Sequence, residues 1–537
     1  MKRWTFVWMV AALVAAGALV TQGAAQQAPF EGRLQSGPAG VSLASQIVNR
    51  ARVAVQRVGL PGLDTGMHAS DMGRLRTSAV DPAAPIIDRR PSPGGAYVPG
   101  RLIVKFTSQV PLATRTAVLA AHAARIGTRP PNADFDVAAI DPSVDPVALA
   151  QTLQQRPDVA YAQADYRMHP YMVPNDPLYS YQWNFEKIGM EQAWDINPGA
   201  TSSIVVAVLD TGVAFENVRF QFQAASFQSN NTTYPALGTL ALDFAPAPDL
   251  ASANRFVSPW DFIWGDADPV DLDGHGTHVS GTLGQLTNNN VGTAGMAYNV
   301  RIMPVKVLDG NWDDIFGSPN QGTDSVVAEG IRYAADHGAN VINMSLGRTG
   351  PPAPVIQDAM QYAVSKGVFI AVAAGNDYEN GNPDEVLPEI AAQIQGAVAV
   401  GAVDENLNHA PYSSAGSYVE LAAPGGSFDN GFGAKGGILQ QTLDLSQVDT
   451  YDNPVAQFGP PRFDAFAYYF FTGTSMATPH VSALAAMLMQ QGIKSPAAIE
   501  AAMEQFATDE GTPGRDDEYG FGLINPRATL LGLGLAR

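Results

Sequence analysis

One short segment limits what this chain can be more than any other. Residues Gly473–His480, with the sequence GTSMATPH, stand directly before the apolar run Val481–Met489, which predicts a helix with Ser475 in its first turn. We expect Pro479 to be tolerated there because the first helical turn does not use its missing N–H group. The free N–H groups and the positive end of the helix dipole stabilise an anion, and a serine that attacks a carbonyl group creates one. The segment suits acyl transfer, although alone it also fits an ordinary helix cap.

Two other segments supply the partners that such a serine needs. Ser203–Gly212 is a run of mostly apolar side chains that predicts a strand buried on both faces, and Asp210 stands near its end beside a glycine. In Asp273–Gly281, His275 opens an apolar helix. Functional groups of open α/β sheets collect at the carboxyl ends of the strands. An acid, an imidazole and a hydroxyl in such places are the parts of a Ser-His-Asp system.

With these segments in the order Asp, His, Ser, the chain resembles the subtilisin-like serine peptidases, the subtilase family. The resemblance implies an α/β fold with a three-layer parallel sheet of subtilisin type, and a serine endopeptidase whose substrates are polypeptides. It implies that Asp210, His275 and Ser475 form a catalytic triad. Gly367–Asn376 is another buried-strand pattern, and by resemblance Asn376 is the oxyanion-hole donor. An asparagine after a strand also fits a left-handed turn.

The resemblance extends to substrate binding. Val341–Gly347 is similar to the family's substrate-binding strand, which implies that Ser345, Leu346 and Gly347 pair with the peptide backbone as an added β-strand. The small residues Ala373, Ala374 and Gly375 are similar to one wall of the primary specificity pocket, and they leave space for a sizeable side chain.

A calcium site is also implied. Leu286–Thr293 follows the predicted His275 helix and resembles the family's calcium loop. The resemblance implies oxygen ligands from the side chain of Asn289, from the carbonyl groups of Leu286, Val291 and Thr293, and from the carboxylate of Asp176. Hard oxygen ligands in a loop suit Ca²⁺. An asparagine-rich turn without a metal is the alternative.

The N-terminal region predicts export. Residues 1–25 begin with Lys2 and Arg3, continue with an apolar run and end in small residues, which is typical of a secretory signal peptide and short for a membrane span. Residues 26–96 are rich in Pro, Gly, Ala and Ser and are predicted to be a low-complexity linker. We therefore expect a secreted protein, extracellular or periplasmic, with no membrane segment after signal removal.

Residues 97–168 predict a small α+β domain. The pattern alternates strand, helix, strand, helix and strand over Arg101–Phe106, Leu112–Ile126, Asp134–Ile140, Pro146–Gln155 and Val159–Ala164. Through RLIVKF at 101–106 and PDVAYAQADY at 157–166 this unit resembles the inhibitor-like propeptides of subtilases. The resemblance implies that the propeptide is an intramolecular inhibitor and that the precursor is cut between Asp165 and Pro174. A small domain of unrelated purpose is the alternative.

Residues 169–537 are predicted to form the peptidase domain. Strand and helix patterns alternate through it, which implies a parallel sheet covered by helices on both faces. Two stretches, 214–260 and 425–469, are insertions relative to what we expect of compact subtilases, and they interrupt no motif. Gly520–Asn525 resembles the closing strand of the family.

Composition excludes other classes. The absence of cysteine rules out disulfides and thiolate chemistry. A net charge of −20 argues against nucleic acid as a partner. Separately, we expect the protein to be a monomer.

Four competing interpretations remain weaker. Asp64-Thr65-Gly66 and Asp210-Thr211-Gly212 are similar to the paired motifs of aspartic peptidases, but Asp64 follows no strand. His275 and His278 lack the intervening glutamate of zincins, so His278 is predicted to be a core histidine. Residues 431–436 match a dinucleotide glycine pattern but follow no strand. A non-catalytic exported binding protein with this fold would have lost a catalytic residue, and none is missing.

Overall fold

The computed structural model describes residues 97–107, 110–166, 172–229, 232–428, 433–448 and 460–532. The predicted signal peptide and linker, including Asp64, lie outside these ranges. Within them, every helix is too short or too polar to span a bilayer.

Residues 97–166 form a four-stranded antiparallel sheet with two helices. The elements are β1 (Tyr97–Phe106), α1 (Leu112–Ala120), β2 (Arg125–Thr128), β3 (Asp136–Ala139), α2 (Pro146–Gln154) and β4 (Val159–Tyr166). The strand order is β2-β3-β1-β4. Alternate residues of β1, beginning with Leu102 and Val104, are buried against Leu119 and Leu153 of the two helices. This confirms a small α+β domain.

One strand of this domain was not predicted. The predicted helix Leu112–Ile126 ends at Ala120, and β2 follows and pairs with β3. The chain reverses at Ala123, which has a φ of 54°, and the Ala124 N–H group donates to the Leu119 carbonyl. Because an alanine takes the left-handed conformation that usually marks glycine, the sequence carries no helix-end signal there.

The larger unit is built on seven parallel strands: β5 (Val205–Asp210), β10 (Trp260–Asp261), β11 (Arg301–Lys306), β12 (Val341–Met344), β13 (Phe369–Ala373), β14 (Ala397–Val403) and β15 (Leu421–Pro424). Their order in the sheet is β10-β11-β5-β12-β13-β14-β15. The central strands are buried on both faces, as their continuous apolar patterns predict.

Helices cover both faces and give the predicted three layers. The helices of this unit are α3 (Trp183–Lys187), α4 (Met190–Trp194), α5 (His275–Gly284), α6 (Asn311–Phe316), α7 (Asp324–Asp336), α8 (Pro354–Ser365), α9 (Val386–Ala391), α10 (Leu445–Val448), α11 (Thr474–Gln490), α12 (Pro496–Phe506) and α13 (Pro526–Gly532). Val206 and Val208 share one core with α5 and α11, whereas Val205 and Ala207 share the opposite core with α7, α8 and α9. The α/β fold class is confirmed.

The two insertions form antiparallel hairpins. The first contains β6 (Val218–Ala224), β7 (Phe227–Ser229), β8 (Thr232–Tyr234) and β9 (Gly238–Phe244); the second contains β16 (Ile438–Leu443) and β17 (Phe466–Phe471). Phe244 stacks on Phe463 at 5.0 Å between ring centroids, so the insertions contact each other. The expected closing strand at Gly520–Asn525 is reduced to isolated bridges, but it does pair with the edge strand β15: Leu523 bridges Ala422 in parallel, and the Ile524 N–H group donates to the Ala422 carbonyl.

Candidate active site

Asp210 and His275 form a buried pair. Asp210 is the last residue of β5 and His275 the first of α5, and the distance between His275 Nδ1 and Asp210 Oδ1 is 2.7 Å. Burial lowers the pKa of His275, but the charge and hydrogen bond of Asp210 outweigh burial, so the net pKa is raised. His275 Nε2 is buried and has no hydrogen-bond partner within the described ranges. The imidazole is therefore fixed at one nitrogen and available at the other.

Asp271, which the sequence analysis did not single out, fixes the start of α5. Its carboxylate accepts hydrogen bonds from the N–H groups of Asp273 and Gly274, and from both the N–H and hydroxyl groups of Thr277. The Thr211 hydroxyl also donates to it, at 3.0 Å. Asp271 thus ties the turn after Asp210 to the helix that carries His275. The only sequence signal was a second acid two residues before Asp273.

Ser475 is the second residue of α11, and it is hydrogen-bonded to Ser345, which directly follows β12. The Ser475 hydroxyl donates to the Ser345 carbonyl at 3.2 Å, and the Ser345 hydroxyl donates to the Ser475 carbonyl at 2.7 Å. The expected position of Pro479 is wrong: it lies in the second turn of α11. The carbonyl of Ser475 therefore lacks its helical N–H partner, and Ser345 supplies a hydroxyl instead.

Asn376 follows β13 and is held by the start of α11. Its Oδ1 accepts hydrogen bonds from the Thr474 N–H group at 2.9 Å and from the Thr474 hydroxyl at 3.0 Å. The same hydroxyl is 3.3 Å from the Gly375 nitrogen. With its oxygen occupied, the amide has its NH₂ group available as a donor. Thr474 is a second residue that the sequence analysis missed.

The predicted substrate-binding residues follow two adjacent strands. Ser345–Gly347 continue from β12, and Ala373–Gly375 end and follow β13, its direct neighbour in the sheet. Because parallel strands end at the same edge, the structure brings the two triplets together beside Asn376 and Ser475. Gly375 has a φ of +109°, a conformation that favours glycine.

The structure brings Asp176 against the loop that carries the other predicted metal ligands. The Asp176 carboxylate accepts N–H groups of Asn288 and Asn289 at 2.9 and 3.1 Å. Asn289 Nδ2 donates to Asp249 Oδ1 at 2.8 Å, and the Thr293 N–H group donates to Asp249 Oδ2 at 3.0 Å. The Leu286 N–H group donates to the Asp249 carbonyl, and the Val291 N–H group donates to Asn289 Oδ1.

Asp249 is the member of this cluster that the sequence analysis missed, because it lies in the first insertion, far from the loop in sequence. It is fully buried, and burial raises its pKa to about 8. Burial also raises the pKa of Asp176. Two buried carboxylates and the side-chain oxygen of Asn289 are hard oxygen donors of the kind that Ca²⁺ takes. Tyr468 of the second insertion donates to Asp249 Oδ2 at 3.2 Å.

The zinc interpretation of His278 does not fit. His278 is fully buried, its ring stacks on Phe471 at 4.1 Å, and its Nε2 lies 3.1 Å from the carbonyl oxygens of Ile438 and Tyr469. Burial lowers its pKa to about 3. Its ring therefore joins α5 to the β16–β17 hairpin. In the glycine pattern at 431–436, Gly433–Gly436 form a short 3₁₀ helix, and residues 431–432 lie outside the described ranges.

Comparisons with known proteins cover both folded units. Residues 201–522 match the model described as the subtilase family, and residues 84–165 match that of the fervidolysin N-terminal prodomain. The chain is 32% identical over 432 residues to the thermophilic serine proteinase of Bacillus sp. (strain AK1), which covers 79% of this chain and 86% of that protein. It is 36% identical over 335 residues to thermitase of Thermoactinomyces vulgaris, covering 62% and 91%. A solved protease structure from Pseudoalteromonas arctica PAMC 21717 has a TM-score of 0.50 and 28% identity, over 67% of this chain and 99% of that one.

Proposed function

This chain belongs to the subtilase family of serine peptidases, and on that premise we propose that it is a secreted endopeptidase acting through Asp210, His275, Ser475 and Asn376. One observation carries the proposal: His275 is bound to Asp210 through Nδ1, and its buried Nε2 has no partner within the described ranges. An imidazole held in this tautomer accepts a proton at Nε2.

Acylation follows from these positions. Ser475 attacks the scissile carbonyl carbon while its hydroxyl proton passes to Nε2 of His275. Asp210 keeps the ring oriented and stabilises the imidazolium that forms, and the raised pKa of His275 is consistent with this role. The imidazolium then donates the proton to the leaving amine. Before attack, the Ser475 hydroxyl must leave the Ser345 carbonyl, from which it is 3.2 Å away.

The negative charge that develops on the carbonyl oxygen needs donors. Asn376 Nδ2 and the N–H group of Ser475 would supply them, the latter from the first turn of α11 where the helix dipole also favours an anion. Water then attacks the acyl-enzyme, with His275 as base, and releases the second product.

The substrate lies along Ser345–Gly347 in this proposal. Main-chain pairing with Ser345, Leu346 and Gly347 binds an extended peptide largely without regard to its sequence. The side chain before the scissile bond enters the pocket beside Ala373, Ala374 and Gly375. Selectivity for this substrate side chain therefore depends on the residues that form the closed end of the pocket.

The match to a prodomain family supports synthesis of this enzyme as a precursor. We infer that residues 97–168 inhibit the peptidase intramolecularly and are removed by cleavage between Asp165 and Pro174. The signal-peptide pattern of residues 1–25 supports secretion. The mature enzyme would act as a monomer on polypeptide substrates.

Calcium is the structural ion that the loop cluster would hold. Asp176, Asp249 and Asn289 would bind it through side chains, and Leu286, Val291 and Thr293 through carbonyl groups. A bound divalent cation would neutralise two buried carboxylates and stabilise the folded state by mass action. The catalytic steps do not use it.

Two variants test the proposal. Ser475→Ala or His275→Ala should lower turnover of a chromogenic peptide by about 10⁶-fold, the magnitude known for subtilisin. Both variants must be produced with the prodomain removed, so that inhibition by the prodomain is not mistaken for lost chemistry. Near-full activity in either variant would reject the triad. No turnover by the wild-type enzyme would favour the non-catalytic binding protein.

A further inference from the structure

A buried glutamate stands where the two walls of the proposed primary pocket meet. Glu385 directly precedes α9, and only 3% of its surface is exposed. Glu385 forms an isolated antiparallel bridge with Thr349, and the Val386 N–H group donates to the Arg348 carbonyl at 2.9 Å. The segment before α9 is thereby joined to the chain that follows the substrate-binding residue Gly347.

The carboxyl group of Glu385 lies between the glycines of the two walls. A Cβ atom added to Gly375 would collide with the Glu385 carboxyl group, and one added to Gly347 would lie 3.8 Å from Oε2. The Ser414 hydroxyl approaches Oε1 to 3.4 Å. Glycine on the β13 side is therefore what makes room for this carboxyl group.

An apolar cluster forms part of the β13 wall next to this carboxyl group. Ala374 and Tyr418 pack in one buried cluster. Burial raises the pKa of the Tyr418 phenol, and the negative charge of Glu385 raises it further. The negative charges of Glu389 and Asp384 also raise the pKa of Tyr418, by less than the charge of Glu385 does.

We propose that Glu385 is the specificity-determining residue of the primary pocket and that it selects peptides with Lys or Arg before the scissile bond. The proposal rests on the proposed peptidase function. The aliphatic stem of a basic side chain would lie along Ala373 and Ala374, and its cationic head would reach the carboxylate. A buried carboxylate at the end of a pocket favours a cation over a neutral side chain, and it repels an acidic one.

The test compares peptide p-nitroanilides that differ only in the residue before the anilide: Lys, Arg, Phe, Leu or Glu. Wild-type mature enzyme should have its highest kcat/KM on Lys and Arg. Glu385→Gln should lower those values about 30-fold or more, because one partner of a buried charge pair is lost, and should change the Phe value only a few-fold. Glu389→Gln removes the same charge within one helical turn and should leave the preference unchanged.

Benzamidine provides a second measurement that does not depend on turnover of the variant. Its amidinium group should inhibit the wild-type enzyme competitively, and Glu385→Gln should weaken this inhibition by a similar factor. Wild-type enzyme that prefers Phe and ignores millimolar benzamidine would overturn the role of Glu385 while leaving the peptidase intact. Hydrolysis that persists in Ser475→Ala, or its absence on every peptide, would instead refute the proposed function.

Discussion

Replacing Thr474 by valine removes one hydroxyl group, keeps the side-chain shape and tests how Asn376 is positioned. The hydroxyl lies 3.0 Å from Asn376 Oδ1, whereas the Thr474 N–H group, at 2.9 Å, remains in the variant. The variant also loses the contacts of this hydroxyl with the nitrogen and the carbonyl oxygen of Gly375, at 3.3 and 3.2 Å. Loss of the neutral hydrogen bond to Asn376 costs about 0.5–1.5 kcal/mol. If the whole loss falls on the transition state, kcat falls roughly 2- to 13-fold.

A double-mutant cycle separates positioning from a general effect on the fold. In subtilisin, loss of the side-chain oxyanion donor lowers kcat by about 10²- to 10³-fold, and we expect the same of Asn376→Ala. Once Asn376 is absent, Thr474→Val should have no further effect on kcat. Thr529→Val, which removes a buried hydroxyl that donates to Asn525, is the matched control and should leave kcat unchanged. An equal loss from Thr474→Val in both backgrounds would refute the reasoning.

Three further predictions concern stability and maturation. Burial, with the charges of Glu500 and Glu504, raises the pKa of Glu420 from 4.5 to about 8, so the folded state keeps a proton that the unfolded chain releases. The free energy of unfolding should therefore fall by on the order of 4 kcal/mol as pH rises from about 4.5 to 8. Urea titrations of inhibitor-inactivated enzyme should show that Glu420→Gln flattens this pH dependence. An unchanged pH dependence in Glu420→Gln would contradict the prediction. A chelator should lower the calorimetric unfolding midpoint of the wild type more than that of Asp176→Asn, and a midpoint indifferent to chelator would count against calcium. Ser475→Ala should accumulate as an uncut precursor in a host without other proteases, and an N-terminus between residues 165 and 174 by mass spectrometry would assign the cut to another enzyme.

The residues at the ends of elements could be predicted from sequence because local patterns place them. Asp210 ends a continuous apolar strand, and Ser475 lies in the first turn of an apolar helix, so each pattern also predicts where the functional group lies. Parallel strands then bring those ends to one edge of the sheet without any knowledge of pairwise contacts.

Residues that act through distant partners could not be predicted. Asp249 meets Asn289 across 40 positions, and Tyr468 meets Asp249 across 219, so no local pattern links them. Glu385 lies beside two glycines that follow separate strands, so no local pattern marks it as a pocket residue. The turn at Ala123 was missed for another reason, since alanine gives no left-handed signal.

The hairpins of the two insertions illustrate the same limit. Their extra length relative to compact subtilases predicted added segments, but the stacking of Phe244 on Phe463 joins two regions that are far apart in the chain. Such contacts depend on where the rest of the fold places each hairpin.

Covalent labelling tests the central claim most directly. The mature enzyme is treated with a sulfonyl fluoride, and the modified peptide is identified by mass spectrometry. A single adduct on Ser475, formed with loss of peptidase activity and abolished by His275→Ala, is the result that the account predicts. An adduct on another residue with equal loss of activity, or labelling of Ser475 that proceeds equally fast in His275→Ala, would contradict it.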